Sequence, residues 1–143
     1  MSRRMSITSA IAEKLKEING EAPYTTNIYE HAYAKLKFWD EVSDFPSVYV
    51  VTGSESREYL PAAFTWCFLN ISIKLYCKGE DSQDQLEDLI EDVENLLDST
   101  LGRITFNDTK STEEISVTSI TTDEGLLAPY AVGEINILVR YPR

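Results

Sequence analysis

The residues best suited to chemistry in this sequence are a dense run of carboxylates between positions 80 and 94. Carboxylate oxygens bind calcium when a loop brings several of them together, but an EF-hand loop needs a central glycine that the segment EDSQDQLED lacks. A di-metal carboxylate site needs two Glu-x-x-His pairs, and the chain has a single histidine. The run therefore predicts either the solvated face of a helix or a negative wall past which a polyanion can slide. The residues that would form this wall are Glu80, Asp81, Asp84, Glu87, Asp88 and Glu91.

The candidate nucleophiles are Cys67 and Cys77, which fall on the apolar face of one predicted strand. Ten residues apart on a continuous strand, they would be separated by about 33 Å, too far for a disulfide. We expect both to be small core residues. His31 has no cysteine or second histidine near it in the sequence, and no glycine-rich phosphate-binding motif is present. These patterns predict a protein that is not an enzyme and that holds no metal or cofactor.

Composition favours one domain spanning residues 1–143. The formal net charge of −11 argues against general nucleic-acid binding, because affinity for phosphates needs a surplus of Lys and Arg. No apolar run approaches the roughly 20 residues of a membrane span. The start, MSRRMSITSA, lacks the apolar stretch of a signal peptide. We therefore expect a protein made in the cytosol with no membrane partner.

Periodicity predicts two helices and a set of strands. The helices are expected at 6–18, capped by Ser6, and at 82–99, capped by Ser82. Strands are expected at 47–52, 65–77, 103–107, 114–121 and 133–141, with a short one around 34–38 and a polar turn at 53–64. This order predicts an α+β fold in which two amphipathic helices pack on one face of a largely antiparallel or mixed sheet.

Two of these elements have a clearly defined buried side. In the strand 65–77, alternate residues from Cys67 to Cys77 are apolar, while the other face is mixed and is half-solvated or faces another subunit. The second helix has one apolar stripe, formed by Leu86, Leu89, Ile90, Val93, Leu96 and Leu97. The remaining side of that helix is expected to be solvated.

Two connecting segments are unusually apolar for such an acidic chain. The segment 125–133 contains Leu126, Leu127, Pro129 and Tyr130, and the segment EYLPAAF at 58–64 contains Tyr59, Leu60 and Pro61. Each could fold back on its own sheet, or it could contact another subunit, because contiguous exposed apolar surface in a soluble protein usually marks an interface. Two unlike apolar tips would suit a closed head-to-tail ring.

Several stretches resemble the tail terminator proteins of long-tailed bacteriophages, most closely the branch found in T5-like siphophages. The strongest match is TSITTDEGLLAPYAVGEINILVRY at 118–141. It is supported by DFPSVYVVTGSESREYLP at 44–61 and TWCFLNISIKLYCKGEDSQDQLEDLIEDVENLL at 65–97, and by the SITSAIAEKLKEI opening. The resemblance covers most of the chain and implies the fold shared with the lambda-type terminator.

The resemblance also implies a function. Members of the family assemble as a hexameric ring on the head-proximal end of the tail tube, stop its polymerisation and form the surface where the head docks. The implied partners are further copies of the chain, the tail tube protein, a head-completion protein and the genomic DNA, which passes through the lumen without specific binding. The expected location is the neck region of the virion, after assembly in the bacterial cytoplasm. The alternative is another neck component, such as a head-completion or connector protein.

Overall fold

The computed structural model describes residues 2–107 and 109–143, and in that part of the chain two helices lie against one face of a five-stranded sheet. The sheet order is β1-β2-β3-β7-β6, with every pair antiparallel except the short parallel β1–β2 pair. β4 and β5 pair antiparallel in a separate two-stranded sheet. The predicted α+β fold is confirmed. The elements are α1 (Arg3–Leu15), β1 (Ala32–Tyr33), β2 (Ser47–Leu60), β3 (Phe64–Lys78), α2 (Ser82–Ser99), β4 (Thr105–Asn107), β5 (Lys110–Ser111), β6 (Glu114–Thr122) and β7 (Tyr130–Pro142).

The face of the sheet that α1 and α2 cover, called the helix face below, carries the main core. Alternate residues of β3 and β7 pack against the apolar stripes of both helices. Removing their side chains from water stabilises the fold by roughly 25 cal/mol for each Å² of apolar area that is buried. The predicted stripe of α2 is confirmed, because all six of its apolar residues are buried. Cys67 and Cys77 are fully buried free thiols, also as predicted, and burial raises the pKa of Cys77 to about 12.

The opposite face, called the open face, has no helix over it in the described residues. At one end the segment 34–46 covers an aromatic cluster in which Tyr49 and Tyr76 are buried. The hydroxyl of Tyr76 donates to the Lys37 carbonyl at 2.6 Å, and burial raises the pKa of Tyr76 to about 12. The middle of the face is polar and half-exposed: Ser72 donates to Asn136 at 2.8 Å. The open face is therefore mixed, as the alternation in β3 predicted.

Both predicted helix caps are wrong. The first helix begins at Arg3 because the hydroxyl of Ser2, not Ser6, accepts a hydrogen bond from the Met5 amide at 3.1 Å. The second helix begins at Ser82, so this residue lies inside the helix, and the N-cap position is Asp81, whose side chain makes no capping hydrogen bond.

The predicted polar turn at 53–64 is wrong over most of its length. Strand β2 continues to Leu60 and pairs with β3 up to Phe64, with a bulge between Thr52 and Glu55, so the turn itself is only residues 61–63. The segment has the composition of a loop because Gly53 is followed by a run of Ser, Glu and Arg, and it lacks the apolar alternation of a strand with one buried face. The strand predicted at 34–38 is replaced by Ala32–Tyr33, and the last strand begins at Tyr130 instead of position 133.

Asp92 does not belong to the solvated face of α2. Its carboxylate is 1% exposed and accepts hydrogen bonds from the backbone amides of Thr25 and Thr26, the latter at 2.8 Å, and from both threonine hydroxyls. Since a buried charge is tolerated only when its hydrogen bonds are satisfied, these four donors explain why the carboxylate lies there. The segment after α1 is thereby attached to α2.

Candidate interface surfaces

The connector, residues 123–129 between β6 and β7, is held in one conformation by its first residue. The carboxylate of Asp123 accepts hydrogen bonds from the Leu127 amide at 3.0 Å, the Val132 amide at 3.1 Å and the Gln83 side chain at 3.2 Å. Burial alone would raise the pKa of Asp123, but these hydrogen bonds outweigh it and lower the pKa below its ordinary value. The connector is therefore pre-organised.

The two leucines of the connector are in different environments. Leu126 is 84% exposed, and Pro129 beside it is also exposed. Leu127 is half-buried and lines a groove of about 320 Å³ together with Phe38 and Trp39. The structure thus places one leucine in solvent and the other in a groove that the chain's own aromatic residues also line.

Tyr130, predicted as an interface residue, is half-buried by its own chain. Its ring lies 5.3 Å from Trp39 and 5.8 Å from Phe45, measured between ring centroids. The ammonium group of Lys78 lies 5.1 Å from the centre of the Tyr130 ring, within the range of a cation–π interaction. Only part of Tyr130 is available to a partner.

The second apolar surface is the hairpin tip, residues 58–64, where β2 turns into β3. Tyr59 is 74% exposed, Leu60 38% and Phe64 43%, and Pro61 is exposed between them. Leu60 and Phe64 lie directly opposite each other in the ladder, and the Phe64 ring packs edge-on against Trp66 at 5.0 Å. Leu60, Phe64 and Trp66 therefore form an apolar surface on the open face of the sheet, whereas Tyr59, which pairs with Thr65, projects from the other face at the tip.

Trp66 also belongs to this surface, although it was not predicted from the sequence as an interface residue. The guanidinium of Arg140 lies 4.6 Å from the centre of its ring. The sequence contains enough information to identify it, because Trp66 and Phe64 are two positions apart in β3 and must therefore lie on the same face.

The two surfaces lie at opposite ends of β3. Phe64 begins the strand at the hairpin tip, whereas Lys78 ends it opposite Tyr130 next to the connector. Fourteen residue steps of a strand correspond to roughly 46 Å. One molecule cannot bring these two surfaces together, so each is available to a different partner.

The predicted acidic face is exposed on α2 and on the turn before it. All six predicted residues are exposed to solvent: Glu80, Asp81, Asp84, Glu87, Asp88 and Glu91. Among the described residues, no three His, Cys, Asp or Glu side chains come together in a geometry that could hold a metal ion. His31 is half-buried with its Nδ1 3.3 Å from the Pro46 carbonyl. In the described part of the chain, neither helix is both long and apolar enough to cross a membrane.

Comparison with known proteins agrees with the sequence resemblance. A family profile described as "Bacteriophage Tail Tube Terminator Protein" matches residues 1–143. The "Tail tube terminator protein p142" of Escherichia phage T5 is 36% identical over 153 residues, covering 99% of this chain and 94% of the phage T5 protein. A chain in the virion of a native gene transfer agent particle has the same fold, with a TM-score of 0.64 at 9% identity, covering 96% of this chain and 95% of that one. The chain therefore belongs to the bacteriophage tail tube terminator family, as its T5-like sequence pattern indicated.

Proposed function

We propose that this structural tail protein forms a hexameric ring on the head-proximal end of the tail tube, where it ends tube polymerisation and provides the surface on which the head docks. The genome passes through the lumen of the ring. Family membership supports the proposal, and the structural observation that carries it is the pair of exposed apolar surfaces at opposite ends of β3. A protein that joins two structures along one axis needs two such surfaces, and they need not be alike.

In this proposal the connector and the hairpin tip are axial docking surfaces, one for the tail tube protein and one for the head-completion protein. Leu126 contributes most at the connector end because 84% of its surface is available for burial. Fully burying a leucine is worth about 1.5–3 kcal/mol, and six copies acting together would multiply the effect. At the other end Tyr59 and Leu60 have the same role, with Pro61 at the turn.

Charge opposes the assembly. Six chains of net charge −11 would together carry −66 formal charges. Because exposed charges farther apart than about 8 Å are screened at physiological ionic strength, we expect ring formation to be favoured by salt or by contact with the tube end. Native mass spectrometry at low and high salt, with and without tail tubes, measures this directly. A monomer under every condition would count against the ring.

The docking surfaces are tested with Leu126→Asp and Tyr59→Asp, using Asn95→Asp as the control. Asn95 is exposed on α2, so the control adds the same single charge away from both surfaces. Each variant should remain folded, with a melting temperature close to that of the wild type, since all three sites are exposed. One docking variant should lose tube capping, seen as overlong tubes in electron micrographs, and the other should cap tubes that then fail to attach heads. If both variants cap tubes and attach heads as the control does, these surfaces are not the docking sites.

A further inference from the structure

The sheet has two long free edges in the described part of the chain. β6 pairs with β7 on one side and is the last strand on the other. β2 pairs with β1 only at Val48 and Tyr49, so no described strand pairs with its outer side over residues 50–60, where the Arg4 side chain donates to the Gly53 carbonyl. A strand edge presents a row of unpaired amide and carbonyl groups, which makes it a template for pairing with another chain.

β6 lacks the lysine and proline residues that protect many edge strands. Its sequence, EISVTSITT, contains one charged residue, at its first position, and neither lysine nor proline. Val117 and Ile120 lie at this edge and are 40% and 39% exposed. An exposed edge of nine mostly β-branched and hydroxyl residues in a monomer is an aggregation hazard, so it is better explained as a strand that a partner covers.

We propose that neighbouring subunits join edge to edge, with β6 of one copy pairing with residues 50–60 of β2 in the next. This inference rests on the proposed ring and specifies its subunit interface. β2 and β6 run in opposite directions within one chain, because three successive antiparallel pairings separate them. Rotation about an axis parallel to the strands keeps strand directions unchanged, so β6 meets the β2 of its neighbour antiparallel. The alternation of strand directions in the sheet then continues across every subunit boundary.

The two free edges are offset along the sheet, as closure requires. Positions along β3 serve as a common scale for both edges. Followed across β7, β6 is level with Phe68–Leu75 of β3, whereas the free part of β2 is level with Phe64–Ile73. Pairing the two edges slides each subunit by a few residues relative to the next, and such a stagger accompanies the strand tilt of a closed barrel. Each edge strand also contains a bulge, at Thr118 in β6 and at Gly53–Ser54 in β2, and bulges bend strands.

The size of such a ring decides which face of the sheet lines the lumen. Four long strands from each of six subunits, spaced about 4.8 Å apart and tilted by about 40°, give a backbone diameter of roughly 48 Å. With the helix layer inside, each wall would extend about 15 Å inward from the sheet backbone. The opening would be about 18 Å, less than the roughly 20 Å of a B-form duplex. With the open face inside, side chains extending about 6 Å leave roughly 36 Å.

The open face therefore faces the DNA, and the acidic side of α2 lies on the outside of the ring. Of the two alternatives that the acidic run leaves open, this favours the solvated helix face over a negative wall that lines the conduit. The charges of the open face are balanced, because Lys74 pairs with Glu134 at 2.8 Å and Arg140 lies 3.6 Å from Glu114. A polar surface without a surplus of Lys or Arg gives a duplex little to bind. At the connector end the segment 34–46 adds one layer of chain and forms the narrowest point of the passage.

The edge pairing is tested with Ile120→Lys and the control Asn95→Lys. Both substitutions add one positive charge at an exposed position, one at the β6 edge and one on α2. Native mass spectrometry should show folded monomers for Ile120→Lys and rings for the control. Ring formation by Ile120→Lys at the wild-type level would overturn the edge pairing, while failure of the wild type itself to form rings at low and high salt, with and without tail tubes, would overturn the proposed function instead.

The orientation of the ring is tested with single cysteines at Asn70 on the open face and Asp88 on α2, both exposed positions. The two native cysteines are fully buried, so they add little background. A maleimide carrying a polyethylene glycol chain of about 5 kDa should label both variants as monomers. In assembled tails it should label Asp88→Cys fully and Asn70→Cys at least tenfold more slowly. Protection of Asp88→Cys with free labelling of Asn70→Cys would place the helices inside and overturn the inference.

Discussion

Asp92 provides the most direct test of how the fold is held together. Replacing it by alanine leaves the amides of Thr25 and Thr26 without their acceptor, as well as two hydroxyls that can turn elsewhere. Leaving the buried Thr26 amide without a partner costs about 1–3 kcal/mol, and the hydrogen bonds lost at the exposed Thr25 add to this, so we expect Asp92→Ala to lower the free energy of unfolding by about 3–4 kcal/mol. For a chain of this size that corresponds to a fall of roughly 10 °C in Tm. The unfolding free energy of Asp92→Asn should lie between those of the wild type and Asp92→Ala, because the asparagine amide keeps one acceptor oxygen.

Urea unfolding followed by circular dichroism measures this effect, and Glu91→Ala is the matched control. Glu91 is exposed on the neighbouring position of the same helix, so its replacement should change stability by no more than about 0.5 kcal/mol. With an m-value near 2 kcal/mol per molar urea, the midpoint of Asp92→Ala should fall by about 1.5–2 M. Equal midpoints for the two variants would refute the reasoning, since the buried carboxylate would then contribute no more than a solvated one.

Three other outcomes follow from the connector and its surroundings. Asp123→Asn should destabilise the protein at pH 7. Because the pKa of Asp123 is lower in the folded state, the difference in unfolding free energy between wild type and variant should shrink as pH falls below about 4. Urea midpoints at pH 7 and pH 3 measure this difference. Leu127→Asp should lower Tm clearly more than Leu126→Asp, because Leu127 is half-buried; equal shifts would contradict the assigned environments. Gly125→Ala should cost about 1 kcal/mol for its positive φ, and Gly102→Ala distinctly more, since an added Cβ would lie 3.0 Å from the Cα of Glu114; thermal melts of both variants compare them.

Much of the core could be predicted from the sequence because its pattern is local. The alternation in β3 and the three- and four-residue spacing in α2 identify buried residues without any knowledge of their partners, and the structure buries them as expected. Asp92 was missed for the opposite reason. It follows Glu91 in an acidic run, and only its partners at Thr25 and Thr26, more than sixty positions away in the sequence, distinguish it from a solvated carboxylate.

The candidate surfaces were identified as segments but not as shapes. Composition alone marked the connector and the hairpin tip as apolar, yet the exposure of Leu126 and the partial burial of Leu127 depend on hydrogen bonds to Asp123 and on the aromatic residues of the segment 34–46. The position of the surfaces at opposite ends of β3 is known only from strand pairing. It could not be predicted because the second half of β2 has the sequence of a turn, so the full length of β2 was not recognised.

The long ladder between β3 and β7 also has a mechanical consequence. Thirteen residue pairs, from Trp66 with Pro142 to Lys78 with Tyr130, join the two central strands between the hairpin tip and the connector. Hydrogen bonds in an antiparallel ladder run perpendicular to the strands, so tension applied between those two ends loads the whole ladder in shear instead of opening it one pair at a time. The subunit should therefore resist extension along this axis far better than peeling from the β6 side, which suits a joint that stays intact under strain.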